Sequence, residues 1–253
     1  MKRGGLFHSG LLLGLIGLLL LSGCLKKQVR PSEEKLKKDA SLEELLSLYQ
    51  LRRQEWSGFK GLAEITAESR RQGRHTVQAS WTARKDSTEI RGFNLLGGTL
   101  FDLRVTDPLI TLQIPSERRK IEATRDAFKE EIGAAIPIGS LDLIDWVSEG
   151  AVPKGVPPLF PALEKGEDFF ILSLLRVLPE KAVLVEKIWI ERTAFQVTRV
   201  AIFDFTGAPR AELTFGDYRK VGGRELPFEV QAEGHGEKVL LHFKELRPLS
   251  PSS

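Results

Sequence analysis

Cysteine is almost absent from this chain, since Cys24 is the only one among 253 residues. A single thiol excludes an intramolecular disulfide, even in an oxidising compartment that would permit one. The stability of the protein must therefore come from packing. An excess of either charge is lacking as well, because the chain after its first 23 residues carries 35 Lys and Arg against 34 Asp and Glu. This balance gives no argument for nucleic acid binding.

Recognisable catalytic motifs are also lacking. His8 lies in the N-terminal segment, and His75, His235 and His242 stand isolated in predicted turns and strands without ligand-like spacing. Neither GxSxG nor HExxH occurs, and residues 234–239 (GHGEKV) lack the final glycine and following helix of a dinucleotide loop. Asp and Glu are plentiful, so a carboxylate pair stays open. We expect no enzyme, no cofactor and no metal site.

The longest apolar run, residues 11–21 (LLLGLIGLLLL), is too short for a transmembrane helix, which needs about 20 residues. It follows a basic start at residues 1–3 (MKR), as in a secretory signal. Residues 21–24 (LSGC) resemble the lipobox of bacterial lipoproteins, in which the cysteine thiol accepts a diacylglycerol. We predict a signal peptide over residues 1–23 and acyl chains, such as palmitate, on Cys24. A cysteine that merely ends an ordinary signal is the alternative.

A polar segment separates Cys24 from the predicted body of the protein. Residues 24–40 are rich in Lys and Glu without helical apolar spacing, which predicts a lipidated N-terminus and flexible tether. The tether lysines either touch anionic headgroups or belong to a simple spacer. Residues 41–44 (SLEE) match a capping box, and the apolar residues that follow have helical spacing, so an amphipathic helix starts there. The domain is predicted over residues 41–247, with a disordered tail at 248–253.

From Phe59 onward the apolar period changes from helical to two, which predicts long antiparallel strands with one apolar face. Leu62 breaks the alternation in the first of them. The basic cluster at residues 70–74 is interpreted as a polar hairpin turn. Further strands are predicted at residues 88–95, 99–106, 109–114, 118–123, 169–175, 182–192, 197–205, 210–218, 226–233 and 237–246. The fold class is mainly β: one large curved antiparallel sheet with a few helices covering its apolar face.

The middle of the chain interrupts this sheet. Residues 126–134 and 140–147 have helical apolar spacing. Residues 152–166 contain four prolines and are predicted to be a loop, because proline removes backbone donors.

Small residues make up much of the apolar face of the first two strands. Gly61, Ala63, Ala67, Ala79 and Ala83 leave room beside them. Helices could fill that room as an ordinary core, or it could be a cavity the size of an acyl chain. Alternation is identical in both cases, so the spacing leaves the two open.

Four stretches resemble the lipoprotein receptor LolB and the wider LolA/LolB superfamily. Residues 94–99 (NLLGGT) resemble the Asn-Pro-Leu-Gly turn of the family, with Leu95 in place of proline. Residues 136–141 (IPIGSL) and Trp146 are similar to the entry into its lid helix. Residues 215–218 (FGDY) with 226–227 (LP), and 187–191 (KIWIE), resemble later strands, the last more on the LolA side. The spacing before Trp146 is longer than in LolB, and the proline-rich segment is added length.

This resemblance implies an open half-barrel whose apolar cavity holds lipoprotein acyl chains, with a LolA-like periplasmic carrier as partner. The implied cavity residues are Ala63, Ile65, Val77, Ala79, Trp81, Ile90, Leu103, Ile144, Trp146, Phe228 and Val230. An exposed leucine in the turn after the third strand helps the family deliver cargo to the bilayer, and Leu96 is the matching residue. Leu25 is not the aspartate associated with inner-membrane retention, so we expect an outer-membrane lipoprotein facing the periplasm. A relative that binds another lipid, or a sensor or scaffold for a protein partner, is the alternative.

Overall fold

The computed structural model describes residues 37–55, 58–70, 73–84, 86–106, 108–124, 127–128, 159–234 and 236–249. Several predicted features lie outside these residues: the signal, Cys24, most of the tether, the two central helical segments apart from 127–128, Ile144, Trp146 and the end of the tail. The described residues, all from Lys37 onward, belong to one compact unit.

Thirteen antiparallel strands form a single sheet. They are β1 (Phe59–Ser69), β2 (Gly73–Ala83), β3 (Ser87–Phe93), β4 (Thr99–Thr106), β5 (Leu109–Ile114), β6 (Arg119–Thr124), β7 (Leu159–Lys165), β8 (Phe169–Val177), β9 (Ala182–Glu191), β10 (Val197–Phe203), β11 (Pro209–Val221), β12 (Arg224–Gly234) and β13 (Glu237–Pro248). The order across the sheet is β6-β5-β4-β3-β2-β1-β13-β12-β11-β10-β9-β8-β7. Strands β6 and β7 are its two edges, so the curved sheet is not closed into a barrel, as predicted.

The centre of the sheet joins the first strand to the last. Every other ladder pairs strands that follow one another in the chain, whereas β1 pairs with β13 along its whole length. The register of this ladder shifts after Leu62, which lies opposite Glu245, while Ala63 lies opposite Phe243. Leu62 is on the outer face and 50% exposed. The inner residues of β1 therefore keep the period of two, and Leu62 is only an apolar residue on the solvent side.

One predicted loop is a strand. The second half of residues 152–166 forms β7, which pairs with β8 from Leu159 to Lys165. Pro161 is tolerated there because β7 is an edge strand, where a residue without a backbone donor breaks no second ladder. Proline content alone therefore gave the wrong structure for this half.

The sheet has two ends, which we call the entry end and the hairpin end. Residues 37–40 meet the sheet at the entry end, where the Lys38 backbone N–H donates to the Arg192 carbonyl at 3.0 Å and Lys37 lies 3.0 Å from Asp168. The turns β1–β2, β3–β4, β5–β6, β8–β9, β10–β11 and β12–β13 all lie at the hairpin end, because strand direction alternates across the sheet. The chain thus enters the body opposite these six turns.

Helix α1 (Leu42–Glu55) packs on the inner face of the sheet. Its predicted capping box is confirmed: the Ser41 N–H donates to Glu44 Oε2 at 2.8 Å, and the Glu44 N–H donates to Ser41 Oγ at 3.2 Å. Leu45 and Tyr49, one turn apart, are buried. A 3-10 turn (Pro115–Glu117) joins β5 to β6.

Candidate functional site

The inner face of the sheet is one continuous apolar surface. Alternate side chains from nearly all the strands point to it, and together with those of α1 and Phe128 they make up the core. The ladder registers arrange them in rows across the strands, such as Val77, Ile65, Leu241, Val230 and Phe215. We call this surface the inner apolar face and treat it as the candidate site.

One row of the inner apolar face is built of small residues between two phenylalanines. The ladders place Gly92, Ala79 and Ala63 side by side, with Phe101 beyond Gly92 and Phe243 beyond Ala63. The ring of Phe101 lies over Gly92 so closely that a Cβ there would stand 2.3 Å from Phe101 Cε1. Aromatic rings therefore occupy part of the room that the small residues leave.

The structure brings all nine described cavity candidates onto this face. Two of them, Ile65 and Val77, are half-buried. The other seven are buried: Ala63, Ala79, Trp81, Ile90, Leu103, Phe228 and Val230. Ile144 and Trp146 lie outside the described residues. The shared face is an observation, whereas a role in ligand binding stays a prediction.

Trp81 adds a polar point to the inner apolar face. Its ring meets that of Phe243 edge-on, with centroids 5.9 Å apart, and its side chain is buried. The indole Nε1–H finds no acceptor among the described residues. A buried donor of this kind favours any ligand that brings an oxygen to it.

A carboxylate also lies on this face. Glu186 in β9 is buried, and the Tyr49 hydroxyl of α1 donates to its Oε1 at 2.6 Å. Both residues have further contacts. This polar contact ties the helix to the second half of the sheet and fixes its position over β9.

Leu96 belongs to an exposed turn at the hairpin end. In the β3–β4 turn the Asn94 side-chain oxygen accepts from the N–H groups of Leu96 (3.0 Å) and Gly98 (2.8 Å), and the Asn94 carbonyl accepts from Gly97. Gly97 adopts φ +81°, which favours glycine. Leu96 is 96% exposed and Leu95 fully so. Leu96 therefore projects outward from the turn, whereas its role in membrane delivery stays a prediction.

A second turn repeats this arrangement and was not predicted. In the β10–β11 turn the Asp204 side chain accepts from the N–H groups of Thr206 (2.8 Å) and Ala208 (3.0 Å), and Gly207 adopts φ +87°. Phe205 is 79% exposed here, whereas it was expected to end a strand that stops at Phe203. The shared Asn/Asp-x-x-Gly spacing, with an apolar residue second, was the sequence signal that could have revealed it.

A polar groove lies between these two turns along the hairpin end. Its volume is about 690 Å³, and its charged residues are Glu68, Arg70, Glu233, Glu237 and Lys238. Lys238 and Glu233 form an ion pair at 3.1 Å. The groove thus offers both signs of charge.

Metal-binding clusters and membrane-spanning helices are both absent from the described residues. In those ranges no group of three or more His, Cys, Asp or Glu side chains could hold a metal ion. No helix of the described chain is long and apolar enough to cross a membrane.

Comparison with known proteins places the fold. No protein-family model matches the sequence, and no curated protein matches it. Among solved structures, a LolA superfamily protein from Nitrosomonas europaea matches with a TM-score of 0.59 and 12% identity, over 85% of this chain and 96% of that one. A domain named as an outer membrane lipoprotein-sorting protein, from Vibrio parahaemolyticus, matches with a TM-score of 0.56 and 14% identity. The match covers 83% of this chain and 93% of that one. A DUF1329 family protein from Desulfovibrio piger matches with a TM-score of 0.52 and 13% identity. The match covers 85% of this chain and 96% of that one. At this identity the likeness shows the fold alone, and that fold is LolA-like.

Proposed function

We propose that this protein is a lipid-anchored outer-membrane lipoprotein that faces the periplasm. On its inner apolar face it accepts the acyl chains of other lipoproteins, in the manner of LolB. The observation that carries the proposal is the continuous apolar face of an open sheet, with a row of small residues across β3, β2 and β1. Similarity to a domain named for lipoprotein sorting supports it.

Transfer on such a face needs no enzyme chemistry. An acyl chain that slides from the face of a carrier to this one avoids water, whereas exposing each methylene would cost about 0.8 kcal/mol. Movement is then driven by relative affinity, without a nucleotide. The Trp81 Nε1–H would donate to an ester or amide oxygen of the bound lipid, which would fix the polar end of the chain.

The anchor belongs to the same proposal. Two or more acyl chains on Cys24 would hold the protein stably on a bilayer, because each buried methylene contributes about 0.8 kcal/mol. Leu25 after it would direct the protein to the outer membrane. Cys24 is then an address and the inner apolar face is the working site.

The test fills the small-residue row. Ala79→Leu adds three carbons at a position with no exposure between Ala63 and Gly92. The protein used is residues 25–253, which contain the compact unit. We expect its Ala79→Leu variant to lose acyl-chain binding, measured by native mass spectrometry. It should also lose uptake of an acylated lipoprotein from a carrier. Its melting temperature should stay near that of the parent protein. Ala162→Leu, on an exposed position of β7, is the matched control.

Two results would count against this function. If Ala79→Leu lowered the free energy of unfolding by about 1–3 kcal/mol, as overpacking of a filled core does, the row would be core and no cavity. If the parent protein bound no lipid and captured one stoichiometric protein partner instead, a sensor or scaffold role would replace lipid transfer.

A further inference from the structure

The two apolar turns are alike in structure and differ in their place in the chain. One joins β3 to β4 in the first half of the sheet, and the other joins β10 to β11 in the second half. In each, the first residue makes two backbone hydrogen bonds across the turn. The Asn94 N–H donates to the Gly98 carbonyl at 2.9 Å, and the Asn94 carbonyl accepts from the Gly97 N–H at 3.0 Å. The Asp204 N–H likewise donates to the Ala208 carbonyl at 2.9 Å, and the Asp204 carbonyl accepts from the Gly207 N–H at 3.0 Å. Both present their most exposed apolar side chains at the tip.

Both turns lie at the hairpin end, six strand spacings apart across the sheet. Phe93 lies in one row of paired residues that crosses β2, β1, β13 and β12 and reaches Gly216 in β11. The β10–β11 turn lies beyond Pro209, seven residues further along β11, and six strand spacings separate the turns. These offsets are about 23 Å along the strands and about 29 Å across them. A strand tilt of about 40°, the value usual in barrels, would compensate the offset along the strands with the offset across them and bring both turns to the same height.

Each turn satisfies most of its own backbone N–H donors. The side chain and carbonyl of Asn94 or Asp204 accept from three of the N–H groups in its own turn, so few donors remain to be satisfied by solvent. Backbone groups without partners are what makes entry into a lipid layer costly. A turn that satisfies its own donors inserts its apolar side chains at a lower cost than a turn whose donors are free.

The arrangement fits a flat lipid surface better than a protein partner. Protein interfaces gather their apolar side chains in one central patch with a polar rim. Here the order is reversed, because the polar groove lies in the middle and the apolar tips lie on either side. Zwitterionic headgroups can meet the mixed charges of the groove while hydrocarbon receives the tips.

We propose that the Phe205 turn is a second membrane contact, which acts together with the Leu95–Leu96 turn so that the body stands on a bilayer by its hairpin end. The inference extends the proposed function, from which it takes only the membrane as partner. Binding to a bilayer through two points also fixes the orientation of the inner apolar face, which one point would leave free to rotate.

The experiment measures vesicle binding without any cargo. Residues 25–253 are mixed with vesicles of phosphatidylethanolamine and phosphatidylglycerol at 3:1, and the partition coefficient is measured by flotation. Because full burial of one large apolar side chain is worth at least a factor of ten, Phe205→Ser should lower the coefficient about tenfold. Leu96→Ser should do likewise, and the double variant should lose about a hundredfold. Leu62→Ser, which removes an equally apolar exposed side chain from the outer face, should change nothing.

A second readout follows the tips directly. Residues 25–253 contain no cysteine, so Phe205→Cys, Leu96→Cys and Leu62→Cys each give a single site for a nitroxide label. With vesicles, labels at 205 and 96 should become more accessible to oxygen and less accessible to a water-soluble nickel chelate, whereas the label at 62 should not.

The proposal is overturned if the parent protein does not bind vesicles, if Phe205→Ser binds as tightly as the parent, or if the label at 205 stays in water. A dimer that the same substitutions dissociate would assign the tips to contacts between copies of the chain instead. Acyl-chain binding in native mass spectrometry is measured separately, so loss of either activity is recognised without the other.

Discussion

Asp204 and Asn94 hold the same turn with different charges. Hydrogen bonds from the Thr206 side chain and from the backbone of Ala208 lower the pKa of Asp204 below its usual value near 3.8. The ionised form is therefore favoured by folding. Its contribution to the turn is complete above the ordinary pKa and is lost as the pH falls through the lower, folded value.

Acid should loosen one turn and spare the other. As the pH falls from about 5 to about 2, we expect the amide NMR signals of Thr206 and Ala208 to move together, while those of Leu96 and Gly98 stay in place. Asp204→Asn should keep the turn and remove the pH response, because Asn94 already supports the same geometry with an amide. Movement of all four signals in parallel would instead indicate general unfolding.

Single residues also mark where the sequence was insufficient. The alternation of β1 followed from the apolar pattern, whereas the exposure of Leu96 was implied by the family resemblance. Phe205 was missed because an apolar residue at the end of an apolar run is indistinguishable from a strand residue until the Asp-x-x-Gly spacing is considered. Trp81 was placed on the correct face, but no pattern reports whether an indole N–H has an acceptor.

At the scale of elements, two glycines of the inner face differ in what surrounds them. A Cβ on Gly61 would stand 2.3 Å from the backbone carbonyl oxygen of Glu245, at the register shift of the β1–β13 ladder. A Cβ on Gly92 would meet the far end of the Phe101 ring, which can rotate away. A backbone atom held in a ladder has no such freedom.

Alanine should therefore be tolerated at one glycine and not at the other. We expect Gly61→Ala to lower the free energy of unfolding by about 2–3 kcal/mol and Gly92→Ala by about 1 kcal/mol, within the range for overpacking. Urea titration measures both. Phe101→Leu should restore the stability of Gly92→Ala, whereas equal losses for the two glycines would show that the ring is held as rigidly as the backbone.

Strand β7 shows why one element escaped prediction. The four prolines of residues 152–166 predicted a loop, because proline is excluded from strands that pair with two neighbours. An edge strand has one, so Pro161 is compatible with pairing to β8. Whether a strand is central or at an edge depends on the order of the whole sheet, which the local sequence does not contain.

At the scale of the molecule, the meander was predictable because nearly every ladder joins neighbouring strands. The exception is the central pairing of β1 with β13, which no local pattern announces. The resemblance of four short stretches to the LolA/LolB superfamily predicted this fold, and the comparison with solved structures bears out the fold. The specific LolB-like activity stays a proposal, since an apolar face built by alternation is the same for a core and for a cargo site.

Removal of the last strand should divide the sheet. Without residues 237–253, β1 and β12 would each expose an unpaired edge, and the buried Val239, Leu241 and Phe243 would be lost from the core. We expect this truncation to abolish cooperative thermal unfolding measured by circular dichroism. Deletion of residues 250–253 alone should leave the transition unchanged, and a cooperative transition in the longer deletion would show that the two halves fold independently.

The pairing of β1 with β13 also sets the order of events in folding. Every other ladder closes a single connection between strands that are neighbours in the chain, whereas this one closes a loop from Ser69 to Glu237. Non-local closure is the slow step in β proteins, so two meanders should form first and meet last. Phe59 and Pro248 are already opposite each other. A circular permutant that joins the end of β13 to Lys37 and opens the chain between β6 and β7 would make every ladder local, and would reach the same sheet faster.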